Sequence, residues 1–574
     1  MTPDFAAPTD PALIHAARAW MDIDPNPEHA RILEDEISRG DGKALRERFA
    51  GTLSFGTAGL RAELGPGPRR MNRVVVRRTA AGIADYLLAA LNTPPHTSPH
   101  AREHTPPRIV IGYDARHGSA DFAEDSAAVV TAAGCEALLF PGPLPTPVLA
   151  AAVRRLDADA GIMVTASHNP PRDNGYKVYL GARMTDEHGR GVQITAPSDA
   201  EITAHIARHA ATMPELAASG WTVLDDAVVT DYLHEVLTAL PLNAPTTDRA
   251  GLRLVSTALH GVGGAVLAEA LQRAGFTDHH VVVEQQQPDP DFPTVAFPNP
   301  EEPGAMDAAL ELAAHLGADL IIAHDPDADR LAVGIPDSAT STPEHRRYRM
   351  LTGDEVGLLL GHRLLPELQR THTTAASSIV SSSMLERLLA GTDVEHHRTL
   401  TGFKWIARTP ALGYGYEEAL GYCVAPEVVR DKDGIAAALL IADTAAALAA
   451  RGSTLGEELD GLQAQVGPTA TGQISLRVTD LSQIGTLMTR LRATAPATLA
   501  GAPVLDVIDF LPDTDALTFQ LDGARVMVRP SGTEPKLKCY LEAVAGTVPD
   551  AHHRLQKLTA AVREMIDDAG RLEA

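Results

Sequence analysis

From Ala158 to Pro170 the chain reads ADAGIMVTASHNP, and from Gly317 to Arg330 it reads GADLIIAHDPDADR. Each stretch runs from a helix end through a short apolar segment, GIMV or LIIA, into a polar loop. Short apolar runs without polar alternation mark strands buried on both faces, as in parallel sheets flanked by helices. Open sheets of that kind gather ligand-contacting groups just beyond the carboxyl ends of their strands. The two stretches therefore predict α/β units with a functional loop in each, and their shared layout hints at duplicated domains.

Working outward, further strands are expected at RIVIGYD from Arg108, EALLF from Glu136, LRLVSTALH from Leu252 and HVVVE from His280. Helical patterns lie between them, such as DFAEDSAAVVTAAG from Asp121 and PGAMDAALELAAHLG ending at Gly317. The stretches from Asn92 to Pro107, Pro336 to Arg347 and Ala450 to Glu458 read as punctuation, the first as an exposed loop. The last hundred or so residues differ: ISLRVTD, a helix DLSQIGTLMTRLRAT, then ARVMVRPSGTEPKLKCYLEAV suggest a separate α+β domain. A chain of 574 residues is expected to divide into several domains, each with its own core.

The balance of 49 basic against 74 acidic residues gives a formal net charge of −25, which argues against a nucleic-acid or anionic-membrane partner. Cys135, Cys423 and Cys539 are too few for a disulfide framework and read as reduced thiols, as in cytoplasm. The first residues carry Asp4 and Asp10 and no basic segment leading into an apolar run, so no secretory signal is expected. The apolar stretch from Ile435 to Ala450 is interrupted by Asp443 and is too short to span a bilayer.

Four loops could carry chemistry. Ser167, in Thr165–Pro170, stands where a nucleophile could sit after a strand, although a Ser-His pair also serves as a loop or helix cap. Asp325, Asp327 and Asp329 repel one another unless a hard cation brings them together; the other reading is a solvated acidic turn. Calcium coordination of the EF-hand kind is excluded, because the sixth position is Arg330 and the twelfth is Pro336. Arg529-Pro530-Ser531-Gly532-Thr533-Glu534-Pro535-Lys536-Leu537-Lys538 can grip a phosphate, or be a plain surface turn. Glu417 and Glu418, in GYEEALGY from Gly415, offer carboxylates to hydroxyl groups.

Together these loops resemble the α-D-phosphohexomutases. FGTAGLR from Phe55, TASHNP with NGYK, DPDADR, TGFKWI before the Glu-rich loop, and RPSGT occur in that order over most of the chain. The N-terminal extension and the form GYEEALGY look most similar to the branch containing phosphoglucomutase-2 and the phosphopentomutases. The resemblance implies an α/β protein of four-domain phosphohexomutase architecture, with three α/β mixed-sheet domains plus a C-terminal α+β domain around a central cleft. The divisions it suggests are an N-terminal helical extension over 1–45, domains over 46–240, 241–345 and 346–460, and a fourth over 461–574. Ser167 would be the phosphoserine, and Asp325, Asp327 and Asp329 would hold Mg²⁺ together with an oxygen on Ser167.

By the same resemblance Arg61 and Arg330 would brace the phosphoryl oxygens, and Lys177, assisted by His168, would be the general acid or base. Lys404 and Glu417 would meet the sugar, while Arg529, Ser531, Gly532, Thr533 and Lys538 would bind the distal phosphate. The implied reaction is interconversion of α-D-glucose 1-phosphate and glucose 6-phosphate, with glucose 1,6-bisphosphate as activator and intermediate, in a monomer or homodimer. Phosphopentomutase, phosphomannomutase and sugar-bisphosphate synthase are the near alternatives. A Mg²⁺-dependent phosphatase would leave Ser167 and RPSGT unexplained, and a non-catalytic sensor would not need every motif. Ala419 stands where glucose-selective relatives carry a serine, so one hydroxyl contact to the sugar is missing. The pairs His279-His280, His396-His397 and His552-His553 have no metal-site spacing and are expected on the surface.

Overall fold

Both deciding segments become strands buried along their whole length, Ala160–Val164 and Leu320–Ala323. The structure is a computed structural model and describes residues 10–53, 55, 59–91, 105–342, 346–477, 481–531 and 536–571. The chain forms two units: Met1–Met350 with Ala407–Gly415 and Gly421–Arg451, and Leu351–Ile406 with Tyr416–Leu420 and Gly452–Ala574.

The first unit opens with three helices, Pro11–Met21, Pro27–Ser38 and Gly42–Phe49, each started by a side chain that accepts a hydrogen bond from its first turn: Asp10, Asn26 and Asp41. Ala17, Trp20, Leu33 and Leu45 bury against Val74 of the helix Arg73–Leu91. The first large sheet runs Leu60–Glu63, Asp173–Leu180, Ala160–Val164, Arg108–Tyr113, Glu136–Leu139, Thr222–Val223. Its middle strands are parallel, whereas Asp173–Leu180 pairs antiparallel on both sides. A second, mixed sheet runs Tyr348–Met350, Ala332–Pro336, Leu320–Ala323, Leu254–Thr257, His279–Val281.

The apolar stretch near Ile435 is the helix Gly434–Ala449, buried on all sides. Its one acid, Asp443, accepts from the backbone of Asn243 and Ala244 and from Arg249 Nε at 2.8 Å, so a buried charge is paired. Among the described residues no helix is long and apolar enough to cross a membrane.

In the second unit the helix Gly353–Thr371 begins at a reciprocal cap between Thr352 and Glu355, and Thr374–Ser378 pairs in parallel with His396–Thr399. The C-terminal segment is a fully antiparallel sheet in the order Thr469–Arg477, Lys536–Val544, Ala524–Pro530, Leu517–Leu521, Ala502–Asp509, Thr498–Leu499. Helices Leu481–Ala493 and Val548–Arg571 cover one face through Ile484, Met488, Leu491, Leu558, Val562 and Ile566. Sheet first closed by hairpins, then covered by helices, is the α+β pattern expected for this end.

Helix Gly42–Phe49 runs across residue 45, and helix Leu455–Val466, whose start Thr454 and Glu457 cap, runs across residue 460. One expectation needs correction: His279 and His396 are half-buried rather than exposed, and each lies on an edge strand, with Nε2 bonded to a hydroxyl on the neighbouring strand, Ser256 at 2.7 Å and Ser377 at 3.0 Å. Burial pushes both imidazoles down to about 4. His552 and His553 are exposed as expected, and the three cysteines are buried free thiols. The stretch expected to loop out after Asn92 lies outside the described residues as far as 104.

Candidate active site

Ser167 follows the strand Ala160–Val164 by three residues and has a left-handed backbone, with φ of 51°. Such a conformation costs a non-glycine residue roughly 1–3 kcal/mol and persists only where the surroundings fix it. Here Thr165 Oγ1 accepts from the Ser167 amide at 2.9 Å, and Arg116 clamps the loop from outside. Its guanidinium donates to the carbonyls of Ser167, Asn169 and Pro170, the last at 2.8 Å. Arg116 is itself seated by Asp114, which is buried at the end of the strand Arg108–Tyr113. Gly175 lets the adjoining strand come close: a Cβ there would lie 2.5 Å from the Thr165 carbonyl oxygen.

The aspartate loop is built the same way. After Leu320–Ala323 the chain turns through Ala328, at φ of 54°, and the Arg330 amide donates to Asp325 Oδ1 at 3.2 Å. Asp325, Asp327 and Asp329 are all buried and each brings a carboxylate oxygen within 4.8 Å of the others. The two loops meet: Ser167 Oγ donates to Asp325 Oδ2 at 2.6 Å, and His168 Nδ1 lies 3.3 Å from the same hydroxyl.

Cations offset the three acids. Lys177 Nζ lies 2.6 Å from Asp327 Oδ2 and 2.9 Å from Asp329 Oδ2, and Lys432 Nζ lies 3.2 Å from Asp329 Oδ2. Arg330 Nε is 3.9 Å from Asp325 and 3.7 Å from Asp329, and Arg61 donates to Asn169 Oδ1 at 3.1 Å. Burial alone would raise Asp329, yet Lys177, Lys432 and Arg330 hold it well below the usual carboxylate range. Burial and the neighbouring Asp329 push Asp327 up. Burial works against the Lys177 charge, but Asp327 and Asp329 outweigh it and raise its pKa. Lys177 therefore rests as a cation beside the aspartates, which suits the acid side of the acid-or-base role expected of it better than the base side. Burial, then Arg330 and Arg61, keeps His168 neutral.

Despite these partners, Asp327 Oδ1 and Asp329 Oδ1 are buried and accept no hydrogen bond from the described residues. Buried carboxylate oxygens without a donor are costly, and an all-oxygen donor set of this kind fits a hard divalent cation. Among the described residues this is the one group of three or more acidic or metal-binding side chains so disposed.

The remaining expected site residues belong to the second unit. Glu417 ends the strand Leu412–Glu417, and Lys404 is buried on the short helix Phe403–Ile406, 5.6 Å from the Trp405 ring centre. Arg529 and Lys538 face each other across the hairpin formed by Ala524–Pro530 and Lys536–Val544, and the Ser531 amide closes it on the Lys536 carbonyl at 2.8 Å. Arg529 also hydrogen-bonds the Tyr540 phenol, which feels the carboxylates of Glu418 and Glu417. Gly532 and Thr533 lie outside the described residues.

Sequence reasoning missed Arg116, Lys432 and Thr146, whose hydroxyl donates to Asp327 Oδ2 at 2.6 Å. Arg116 had a signal, since it lies three residues past a buried strand.

Four family signatures match the chain: phosphoglucomutase/phosphomannomutase alpha/beta/alpha domain I over residues 52–213, domain II over 230–338, domain III over 352–465, and the C-terminal domain over 477–551. The chain belongs to the phosphoglucomutase/phosphomannomutase family.

Its relatives include a Haemophilus influenzae protein named "Probable phosphomannomutase", 44% identical over 86% of this chain and 98% of that protein. A Schizosaccharomyces pombe "Probable phosphoribomutase" is 31% identical over 96% of this chain and 97% of its own, and a Staphylococcus aureus phosphoglucomutase 32% identical over 89% and 93%. Among solved structures, a Burkholderia thailandensis phosphoglucomutase/phosphomannomutase family protein covers 90% of this chain and 98% of its own at TM-score 0.67 and 19% identity. The open form of Paramecium parafusin, a phosphoglucomutase, covers 91% and 95% at TM-score 0.67 and 18% identity. This family member is thus an isomerase, a phosphohexomutase that moves a phosphoryl group within a phosphosugar.

Proposed function

We propose that the protein interconverts α-D-glucose 1-phosphate and glucose 6-phosphate through phospho-Ser167, with glucose 1,6-bisphosphate as intermediate and activator. The observation that carries this reading is the meeting of Ser167 Oγ and Asp325 Oδ2 at 2.6 Å beside two aspartates with unsatisfied oxygens. In the first transfer the bond from phosphorus to Ser167 Oγ breaks as one forms to the free hydroxyl of the sugar monophosphate. After the bisphosphate turns over, its other phosphoryl group returns to Ser167 and the positional isomer leaves.

Asp325, Asp327 and Asp329 would hold Mg²⁺, with a further oxygen from the phosphoryl group on Ser167; when bound, the ion neutralises charge on that group. Arg61 and Arg330 brace phosphoryl oxygens. His168 Nδ1, 3.3 Å from Ser167 Oγ, is within reach of the hydroxyl proton, whereas Lys177 Nζ keeps the aspartate loop in place. Glu417 accepts from sugar hydroxyls beside Lys404, and Arg529, Ser531, Gly532, Thr533 and Lys538 receive the distal phosphate. We place the N-terminal helices before a first domain carrying Ser167, followed by domains carrying the aspartates, Glu417 and Arg529 in turn. Three buried thiols favour a cytoplasmic setting and a monomer or homodimer needs no further partner.

A second reading concerns the sugar. Ala419 supplies no hydroxyl beside Glu417, and the named relatives span mannose, ribose and glucose phosphates. A panel of glucose, mannose, ribose and N-acetylglucosamine 1-phosphates, each with and without its bisphosphate, ranks the substrates by kcat/KM. Glucose 1-phosphate is expected first; a pentose or mannose phosphate ranked above it replaces the sugar while leaving the chemistry. Mutase activity retained by Ser167→Ala would sink the phosphoserine itself.

A further inference from the structure

On the strand Ala524–Pro530, residues 525, 527 and 529 share one face, opposite 542, 540 and 538 of Lys536–Val544. That face presents three cross-strand pairs in line: Arg525 with Glu542, Met527 with Tyr540, and Arg529 with Lys538. The other face, with Val526, Val528, Leu537 and Leu541, is spent in the core of the C-terminal sheet.

The first pair grips a loop outside the hairpin. Glu542, only 4% exposed, accepts from Ser382 Oγ at 3.0 Å, Ser383 Oγ at 2.6 Å and the Ser383 amide at 3.0 Å. Arg525 donates to the carbonyls of Ile379 at 3.0 Å and Ser381 at 2.6 Å, and its Nη2 lies 3.0 Å from Glu542. The second pair packs on Ile379 and Val380 of the same loop. That loop in turn holds the Glu-rich turn. Ser378 and Ser381 hydroxyls donate to Glu418 Oε2 at 3.0 and 2.9 Å, and the Glu418 amide donates back to Ser381 Oγ at 3.2 Å. Ser378 and Ser381 are fully buried, so each lost bond leaves a polar group without water.

We propose that Glu418, Ser381 and the Arg525–Glu542 pair are positioning residues that set the spacing between Glu417 and the Arg529/Lys538 cationic pair, and so select the length of phosphosugar accepted. The inference rests on the reading of Glu417 as the hydroxyl acceptor and of Arg529 and Lys538 as the phosphate grip. Neither Glu418 nor Glu542 touches substrate in this scheme; each acts through Ser381, a continuous hydrogen-bonded path from hairpin to turn. A bound sugar phosphate spans both ends of that path, and small displacements of a binding group are felt strongly.

The test compares full-length Glu418→Gln, Ser381→Ala and Glu542→Gln with the unmodified protein on α-D-glucose 1-phosphate and α-D-ribose 1-phosphate. Each variant is expected to raise KM for the hexose about tenfold while kcat changes less than about threefold, the signature of lost binding rather than lost chemistry. The hexose-to-pentose ratio of kcat/KM should shift about fivefold or more, and the Ser381→Ala/Glu542→Gln double variant should be no worse than the poorer single one, because both break one path. Arg529→Ala is the reference. If it leaves KM unchanged, the phosphate assignment fails and the spacing inference falls with it. If it raises KM while all three positioning variants match the unmodified protein in KM and in substrate ratio, the assignment stands and the spacing inference alone is overturned. Should Glu542→Gln fail to fold, Glu418→Gln and Ser381→Ala decide the matter.

Discussion

Lys177 Nζ lies 2.6 Å from Asp327 Oδ2, both buried, so an ammonium ion from the first sheet holds the aspartate loop of the second. Removing one partner of such a pair leaves an uncompensated charge. Lys177→Met is expected to lose about 3–5 kcal/mol of stability in the presence of a chelator. Added Mg²⁺ should raise the melting temperature of the variant more than that of the unmodified protein, because a cation bound to the native state replaces the missing charge. Thermal melts with and without MgCl₂ check this; equal shifts would mean the aspartates do not share a cation site with Lys177.

The Arg116 guanidinium ties the carbonyls of Ser167, Asn169 and Pro170 together. Arg116→Ala should lower kcat about 100-fold, the usual effect of displacing a reacting group by about an ångström. Steady-state kinetics and the fraction of phosphorylated Ser167 by intact mass would report it.

Gly353 begins its helix against the Glu-rich turn, and a Cβ placed on it would lie 1.9 Å from the Glu418 carbonyl oxygen. Gly353→Ala must push that turn away, at about 1–3 kcal/mol. The expected result is a lower melting point together with a raised KM for phosphosugar, measured on the same preparation.

Asp354, next along, accepts from the Ser382 amide at 2.7 Å and the Tyr416 hydroxyl at 3.1 Å. Burial foremost, then Glu418 and Glu542, pushes its carboxyl up to about 7 from an ordinary 3.8. Between those two values the native state keeps a proton that the unfolded chain has lost, so stability falls as pH rises through this window and the full penalty is present above it. Asp354→Asn retains an acceptor without the charge. Its stability relative to the unmodified protein should therefore improve from about pH 5 to about pH 8, as urea titrations at the two values would show.

Much of the site was legible because its chemistry is local: three aspartates on alternate residues after a buried strand, or a serine after another, declare themselves in a few letters. Lys432 and Thr146 do not, since each is a single residue whose partner, Asp329 or Asp327, lies far away in the chain. His279 and His396 depart from the expected exposure for a related reason. On a strand, alternate residues take opposite faces, and the sequence does not say which face a neighbouring strand will cover. Strand edges at His279 and His396 repeat one arrangement, an imidazole on a serine two positions along the adjacent strand. The fold was more legible than its boundaries, because apolar runs name strands whereas caps such as Thr454 decide where a helix begins.

The backbone at Ser167 has one more consequence. At φ of 51° a side chain branched at Cβ is strongly disfavoured, so threonine, chemically the nearest hydroxyl carrier, does not suit this position. Glycine or asparagine would relax the backbone but has no hydroxyl to esterify. Under the proposed mechanism, the choice of serine as phosphoryl carrier at this loop thus follows from backbone geometry as well as from reactivity.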